Sequence, residues 1–274
     1  MSGTVGTRAW AASGGSLRKQ DRIRLVAQAL FARMSLLPRR LRGQLGFGDS
    51  TASCIELSAI RIPDSIAARR ASELVESLSA PWLFDHCLRT YVWGAMLAHA
   101  GQIKFDEELF FVASALHDLG LVESHKSKEP GCACFAVEGA RAAEKFAAGV
   151  GWENERRERL GEAITLHLNV RVGLRHGAEA HLLHEGAALD VIGARFGELH
   201  PATVEEVLRK YPRAAFKQEL SAAMKQQARE RPRSRAAFLV GLGFVGMIRS
   251  APLEDPPASR KSLCADAPQA VRTG

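Results

Sequence analysis

The sequence has few cysteines and lacks a long apolar run. Its five cysteines are odd in number and irregularly spaced, which argues against the paired disulfide framework of a small secreted protein. No stretch of about 18 uninterrupted apolar residues occurs, so the sequence predicts no transmembrane segment. These two absences favour a globular protein of a reducing compartment, and we expect the cytoplasm.

Acidic residues are scarce at the start of the chain. Residues 1–48 contain nine arginines and lysines against one acid, Asp21, which gives a net charge of +8. Since the whole chain carries +7, residues 49–274 sum to −1. The body therefore lacks the positive excess that nucleic-acid-binding domains usually show, and we expect no nucleic-acid partner.

Composition and periodicity divide the chain into three parts. Residues 1–54 form a basic extension, whose first 20 residues are rich in glycine, serine and threonine and are predicted to be disordered. Residues 21–37 repeat apolar side chains at helical spacing, which predicts one amphipathic helix. This helix could lie on a membrane surface, address an organelle or pack on the body; the plainest interpretation is a variable extension. Residues 55–250 form the body, and the proline-rich, aperiodic residues 251–274 are predicted to be a disordered tail.

The body is predicted to be all-α, a bundle of helices with loosely attached termini, because no convincing period-two alternation occurs in it. Pro81 and Gly101 lie where a helix should begin and end, and another helix runs from Asp106 to Gly120. Further helices are predicted to begin near Pro63, Ala136, Glu153, Ala178, Pro201, Arg213 and Ser234.

Polar residues interrupt the apolar faces of four of these helices. His86 lies on an apolar stripe, and His117 and Asp118 end the run that begins at Phe110. Two later stripes carry His167 and Asp190. One histidine on an apolar face is usually a hydrogen-bonded core residue, but imidazoles and carboxylates from facing helices are how bundles hold metal ions. The five residues together therefore predict a metal site inside the bundle.

Three segments, FDHCLRTYVWG, ELFFVASALHDLGL and GAALDVIG, resemble the HD-domain superfamily of metal-dependent hydrolases. Over residues 57–250 the chain is similar in particular to its cyanamide hydratase-like branch. The superfamily's H…HD…D set corresponds here to His86, His117, Asp118 and Asp190. The resemblance implies that these side chains bind one divalent metal ion, for which zinc and iron suit the nitrogen and oxygen donors and manganese is an alternative. The branch's further motif residues correspond to Arg89, Phe135, Glu138, Gly139 and Ala140.

The resemblance also implies roles for single residues in an enzyme whose metal activates water. Asp118 is expected to bind the metal and to accept a proton. His167 is expected to orient substrate or shuttle a proton, with a packed core histidine as the alternative. Candidate substrate contacts are Arg89, Lys126 and Glu138. Arg89 could equally pair with an acidic neighbour, and Lys126 could belong to a solvated charged loop.

The histidines favour a mononuclear centre. Dinuclear members of the superfamily have two further histidine ligands, and here only His167 has an inward setting. The histidines that lack such a setting are His125, His176, His181 and His184.

We therefore expect a hydrolase or hydro-lyase acting on a small molecule, with hydration of a nitrile-like carbon implied by the nearest branch. Two alternatives remain: a phosphohydrolase of nucleotides or phosphate esters, and a non-catalytic metal-binding regulatory module. The sequence names neither substrate nor oligomeric state, and a homo-oligomer is compatible with it.

Overall fold

The computed structural model describes residues 4–30, 55–125 and 134–256. Within these ranges the chain forms twelve α-helices joined by turns and short 3-10 segments, without any β-strand, which confirms the all-α prediction. The helices are α1 (Arg8–Ala12), α2 (19–30), α3 (Ile66–Leu78), α4 (Pro81–Ala100), α5 (Glu107–Leu116), α6 (Phe135–Gly149), α7 (Asn154–Leu166), α8 (Ala178–Ile192), α9 (Pro201–Lys210), α10 (Phe216–Glu230), α11 (Arg235–Gly241) and α12 (Phe244–Arg249). None of these helices is both long enough and apolar enough to cross a bilayer.

Side chains at the helix starts explain why the sequence locates them well. The hydroxyl of Ser65 accepts from the amide of Ala68 at 3.1 Å where α3 begins. The carboxylate of Asp106 accepts from the amide of Leu109 at 2.9 Å where α5 begins. Each bond satisfies an amide that the first helical turn leaves unpaired. Pro81 opens α4, where the absent N–H costs nothing.

Helix α5 lies at the centre of the main core. Every side chain from Leu109 to Leu116 is buried, and the helix contacts α3, α4, α7 and α8. A helix that is surrounded on all sides has a continuous apolar sequence instead of a stripe.

Helices α4 and α8 approach closely at Gly94 and Gly186, since a Cβ atom on Gly94 would lie 2.9 Å from the carbonyl oxygen of Leu182. This close packing brings the inner faces of α4 and α8 together.

A second apolar cluster joins the N-terminal segment to the C-terminal helices. Val5, Trp10, Leu17 and Leu25 are buried in it together with residues of α6, α10, α11 and α12. The amide of Leu17 also donates to the carbonyl of Arg233 at 2.9 Å. The extension therefore packs on the body along residues 4–30.

Both terminal segments that the composition predicts to be disordered contain helix or buried contacts in their described residues. Residues 4–20 include a helix, and residues 251–256 contain the buried Leu253 and the carboxylate of Asp255, which accepts from the amide of Arg213 at 2.7 Å. Isolated buried side chains and single hydrogen bonds attach these segments to the body. Such contacts leave no periodic pattern in the sequence.

The basic extension contains two helices in its described part instead of the single one predicted. Helix α2 begins two residues before the predicted start, and the predicted residues 31–37 lie outside the described ranges, as do 257–274 of the tail.

Candidate metal centre

Three of the four predicted ligands meet at one end of the main core. His86 comes from α4, and His117 and Asp118 follow the last turn of α5. The Nε2 atoms of His86 and His117 lie 3.3 Å apart. Oδ2 of Asp118 lies 3.6 Å from Nε2 of His86 and 3.4 Å from Nε2 of His117. All three side chains are buried, with at most 6% of any one exposed.

Hydrogen bonds behind the two rings determine which nitrogen faces the cluster. Nδ1 of His117 lies 2.8 Å from the carbonyl oxygen of Ser114, and Nδ1 of His86 lies 2.7 Å from Oδ2 of Asp190. A carbonyl and a carboxylate only accept, so each Nδ1 carries a hydrogen and donates it. Both Nε2 atoms then direct lone pairs toward one another beside a carboxylate. Such an arrangement requires a positive species between them, either a proton or a metal ion.

The spacing of these three atoms fits a metal ion. Bonds of about 2.0–2.2 Å in a tetrahedral arrangement place neighbouring ligand atoms roughly 3.3–3.6 Å apart. The observed separations of 3.3, 3.4 and 3.6 Å lie in that range. An acceptor behind each imidazole is also typical of metal-binding histidines. The donor set therefore fits a divalent cation that accepts mixed nitrogen and oxygen ligands.

His167 lies beside this group, at the end of α7. Its Nδ1 lies 2.6 Å from the carbonyl oxygen of Ile164, so it forms the same bond to the third residue before it that His117 forms to Ser114. Its Nε2 is 3.6 Å from Oδ1 of Asp118, the oxygen that the other two histidines do not face. Its ring packs edge-on against that of His117 with centroids 4.9 Å apart. The structure therefore brings His167 to Asp118, outside the group of three.

The surrounding helix ends favour a cation. His117 and His167 are the C-cap residues of α5 and α7, and Asp190 lies in the last turn of α8. Each helix C-terminus has a partial negative charge of roughly half an electron from its unpaired carbonyls. Three such ends near one cluster add to the attraction that Asp118 exerts on a positive charge.

The structure places Asp190 behind His86, outside the group of three. Arg89 donates to Asp190 through Nε at 2.8 Å and Nη2 at 3.0 Å. Nη1 of Arg213 and Nε1 of Trp93 each donate to its Oδ1 at 3.1 Å. With these bonds and the one to Nδ1 of His86, the carboxylate is fully buried and surrounded by donors. It orients the imidazole in the described geometry, and its role as a direct ligand stays a prediction.

The candidate substrate contacts are occupied by protein partners where they are described. Of the two alternatives for Arg89, the structure shows the ion pair with Asp190. Glu138 accepts two hydrogen bonds from Arg231, at 2.7 and 3.0 Å. Lys126 lies outside the described residues.

Two of the remaining histidines are turned toward the backbone. Nδ1 of His181 donates to the carbonyl of Val172 at 2.7 Å, and Nδ1 of His184 donates to that of His167 at 3.0 Å. Neither belongs to the three-residue group, and the side chain of His125 is outside the described part.

Burial and charge set the protonation of the cluster. Burial disfavours the charged form of His117, but the attraction of Asp118 outweighs it and raises the pKa of His117 well above its usual range. Burial likewise opposes charge on Asp118, yet His117 lowers the pKa of that carboxyl below its usual range. Burial lowers the pKa of His86, and it lowers that of His167 to about 3. The metal-free cluster therefore holds a proton on His117, and a bound cation would replace it.

Sequence reasoning missed the groups that enclose His86 from the C-terminal helices. The ring of Phe216, at the start of α10, stacks on His86 with centroids 4.8 Å apart. The guanidinium carbon of Arg213 lies 4.6 Å from the centroid of the same phenyl ring. No local pattern connects these residues with His86, more than 120 positions earlier. The one usable signal is an aromatic residue near the start of a predicted helix.

Comparison of the chain with protein-family models finds no matching family, and a search of the curated proteins finds no match. The resemblance to HD-domain enzymes therefore rests on the residues themselves.

Proposed function

We propose that the chain is a metal-dependent hydrolase or hydratase of the HD type that acts on a small molecule. The observation that carries this proposal is the convergence of two imidazole lone pairs and one carboxylate at a buried helix junction. Zinc or iron suits these donors, with manganese as an alternative. When bound, such an ion acts as a Lewis acid and lowers the pKa of a coordinated water.

Different residues of the cluster would bind the ion, orient its ligands and transfer the proton. His86 and His117 would hold the ion through Nε2, and Asp118 would hold it through Oδ2. Asp190 keeps the ring of His86 in place through Nδ1, at 2.7 Å. Oδ1 of Asp118 and Nε2 of His167, 3.6 Å apart, are close enough to pass a proton through one bridging water. Because Nδ1 of His167 donates to the carbonyl of Ile164 at 2.6 Å, Nε2 keeps its lone pair and would accept a hydrogen bond from that water.

Hydration of a nitrile-like carbon is the proposed chemistry, and the support for it is the resemblance to the cyanamide hydratase-like branch. Phosphate-ester hydrolysis is the second candidate, because Arg213 has two buried donors, Nε and Nη2, that have no hydrogen-bond partner among the described residues. Free guanidinium donors are what a phosphate group would recognise. The third possibility, a non-catalytic module, predicts bound metal without turnover.

The first experiment measures metal content by elemental analysis of protein purified without chelator or nickel resin. The test variant is His117→Ala. The matched control is His181→Ala, since His181 also donates Nδ1 to a backbone carbonyl but lies outside the cluster. About one metal ion per chain is expected in the wild type and the control, with loss in His117→Ala. Equal metal in His117→Ala, or none in any protein after reconstitution, contradicts the proposed site.

The second experiment assays the metal-loaded protein on cyanamide and simple nitriles, and on phosphate monoesters. Turnover of the first group that His167→Gln lowers at least tenfold, with metal content retained, supports the proposed hydratase. Turnover of phosphate monoesters alone favours the second candidate. Retained metal with no turnover of either group favours the non-catalytic module.

A further inference from the structure

Helix α2 presents an apolar row that no described residue covers. Ile23, Val26 and Leu30 are 69%, 37% and 57% exposed. Their spacing of three and four positions places them on one side of the helix. Single exposed apolar residues are ordinary, but a contiguous row of them marks an interaction surface.

The opposite side of α2 fixes this orientation. Leu25 and Asp21 are buried against the body. The carboxylate of Asp21 accepts from the amide of Arg18 at 3.0 Å, and Nη2 of Arg22 donates to the carbonyl of Pro232 at 3.1 Å. The helix is therefore anchored to the body with its apolar row facing outward.

Basic side chains flank the row on both sides. At about 100° per residue, Arg22 and Arg24 lie on either side of Ile23, and Lys19 lies close to the row itself. Lys19 and Arg24 are exposed. The same segment holds the positive charge of the chain, with +8 over residues 1–48 against −1 for the remainder.

We propose that this face of α2 binds an anionic membrane surface. An apolar row bordered by cations is the pattern of helices that lie in the plane of the bilayer interface. The apolar side chains would enter the acyl boundary, while the cations remain among phosphate and carboxylate headgroups. A second copy of the chain fits this face less well. Two such faces related by a twofold axis would bring their basic borders together, and like charges repel.

The test is co-sedimentation of the full chain with phosphatidylcholine vesicles, prepared with and without phosphatidylserine. The wild type is expected to bind only the vesicles that contain phosphatidylserine, and to be released by salt. Each basic residue near an anionic surface contributes about fivefold to binding, so Lys19→Gln/Arg24→Gln should weaken it about thirtyfold. Ile23→Ser/Leu30→Ser should weaken it at least tenfold.

The matched control is Ile66→Ser/Leu174→Ser, which removes two apolar side chains with similar exposures of 61% and 54% elsewhere on the surface. This control should bind vesicles as the wild type does. Failure of the wild type to sediment, or equal weakening by the control, overturns the proposal.

Light scattering and thermal unfolding test the two other occupants of the face. A wild-type dimer that Ile23→Ser/Leu30→Ser converts to a monomer would identify the face as an interface between copies. A marked loss of thermal stability in that variant, absent in the control, would show that the chain itself covers the face. Either result overturns membrane binding.

Discussion

The buried carboxylate of Asp190 permits a quantitative test of the cluster behind His86. Asp190→Asn keeps the size of the side chain but removes the negative charge that two buried guanidinium groups share, those of Arg89 and Arg213. It also replaces one accepting oxygen with an NH₂ group that faces donors. The substitution therefore leaves the guanidinium groups of Arg89 and Arg213 buried without the carboxylate that pairs with both of them.

The expected cost follows from burial. Asp190 and Arg89 have no exposed side-chain surface, and Arg213 has 3%. Removing one partner of a buried ion pair costs about 3–5 kcal/mol, because the charge left behind has lost its solvent. In a protein of this size, one kcal/mol lowers the unfolding temperature by about 2–4 °C. We therefore expect Asp190→Asn to unfold roughly 10 °C below the wild type.

Thermal unfolding followed by circular dichroism measures this difference. The control is Glu185→Gln on the same helix, which breaks the surface pair with Arg195 at 3.1 Å. A partly exposed pair of this kind contributes about 0–1 kcal/mol, so the control should shift the unfolding temperature by at most a few degrees. If Asp190→Asn unfolds within the shift shown by the control, the buried network is wrongly described. In the metal-bound protein, loss of the acceptor behind His86 should also weaken metal affinity by about 10–100-fold.

Three further predictions concern pH, metal and packing. Burial opposes the charge on Asp190, but its two arginine partners outweigh burial and hold its pKa well below the usual range. The folded pKa is therefore below the unfolded one, so stability is present above about pH 4 and declines as the pH falls further. Thermal unfolding across acidic pH should show this decline, and Asp190→Asn should reduce it. Zinc at about 100 times its Kd should stabilise the wild type by about 2.7 kcal/mol in thermal melts, reversibly with chelator, and should not stabilise His117→Ala. Gly120→Ala places a Cβ inside the contact distance of the carbonyl oxygen of Phe135 and should destabilise the protein by about 1–3 kcal/mol in urea unfolding. Gly197→Ala is the control and should not destabilise it, because a Cβ at Gly197 meets no atom of the described residues within 4 Å.

Local sequence patterns were sufficient to predict most helices of the body and the three side chains that converge in the cluster. Helical periodicity predicts the apolar stripe that carries His86, and the apolar run before His117 predicts a buried helix. Both patterns depend only on residues a few positions apart. The starts of α4 and α5 were equally accessible, because Pro81 and Asp106 act within one turn. These features depend on near neighbours in the chain.

The features that could not be predicted depend on distant contacts. The direction in which Asp190 points is set by Arg89 and Arg213, which lie 101 and 23 positions away. The order of residues 4–20 depends on Trp10, which packs beneath the guanidinium of Arg235 with its ring centroid 4.7 Å from the guanidinium carbon. A few widely separated buried side chains leave no periodic pattern, so the composition of that segment resembles that of a disordered chain.

Phe216 encloses His86, and Trp10 packs against α11. Both contacts join parts of the chain that the ribosome synthesises at different times. Synthesis on the ribosome completes the segment with Trp10 long before α10 and α11 exist, so their partner surfaces stay open to solvent in the nascent chain. The three side chains of the cluster have all been synthesised once residue 118 has emerged. Phe216, which covers His86, follows about 100 residues later. Under the proposed metal-binding role, a cation would reach these three side chains more readily during translation than after folding is finished. If the cluster binds a metal as proposed, the ion in the mature protein would reflect which cation is available during synthesis, as well as the intrinsic affinity of the site.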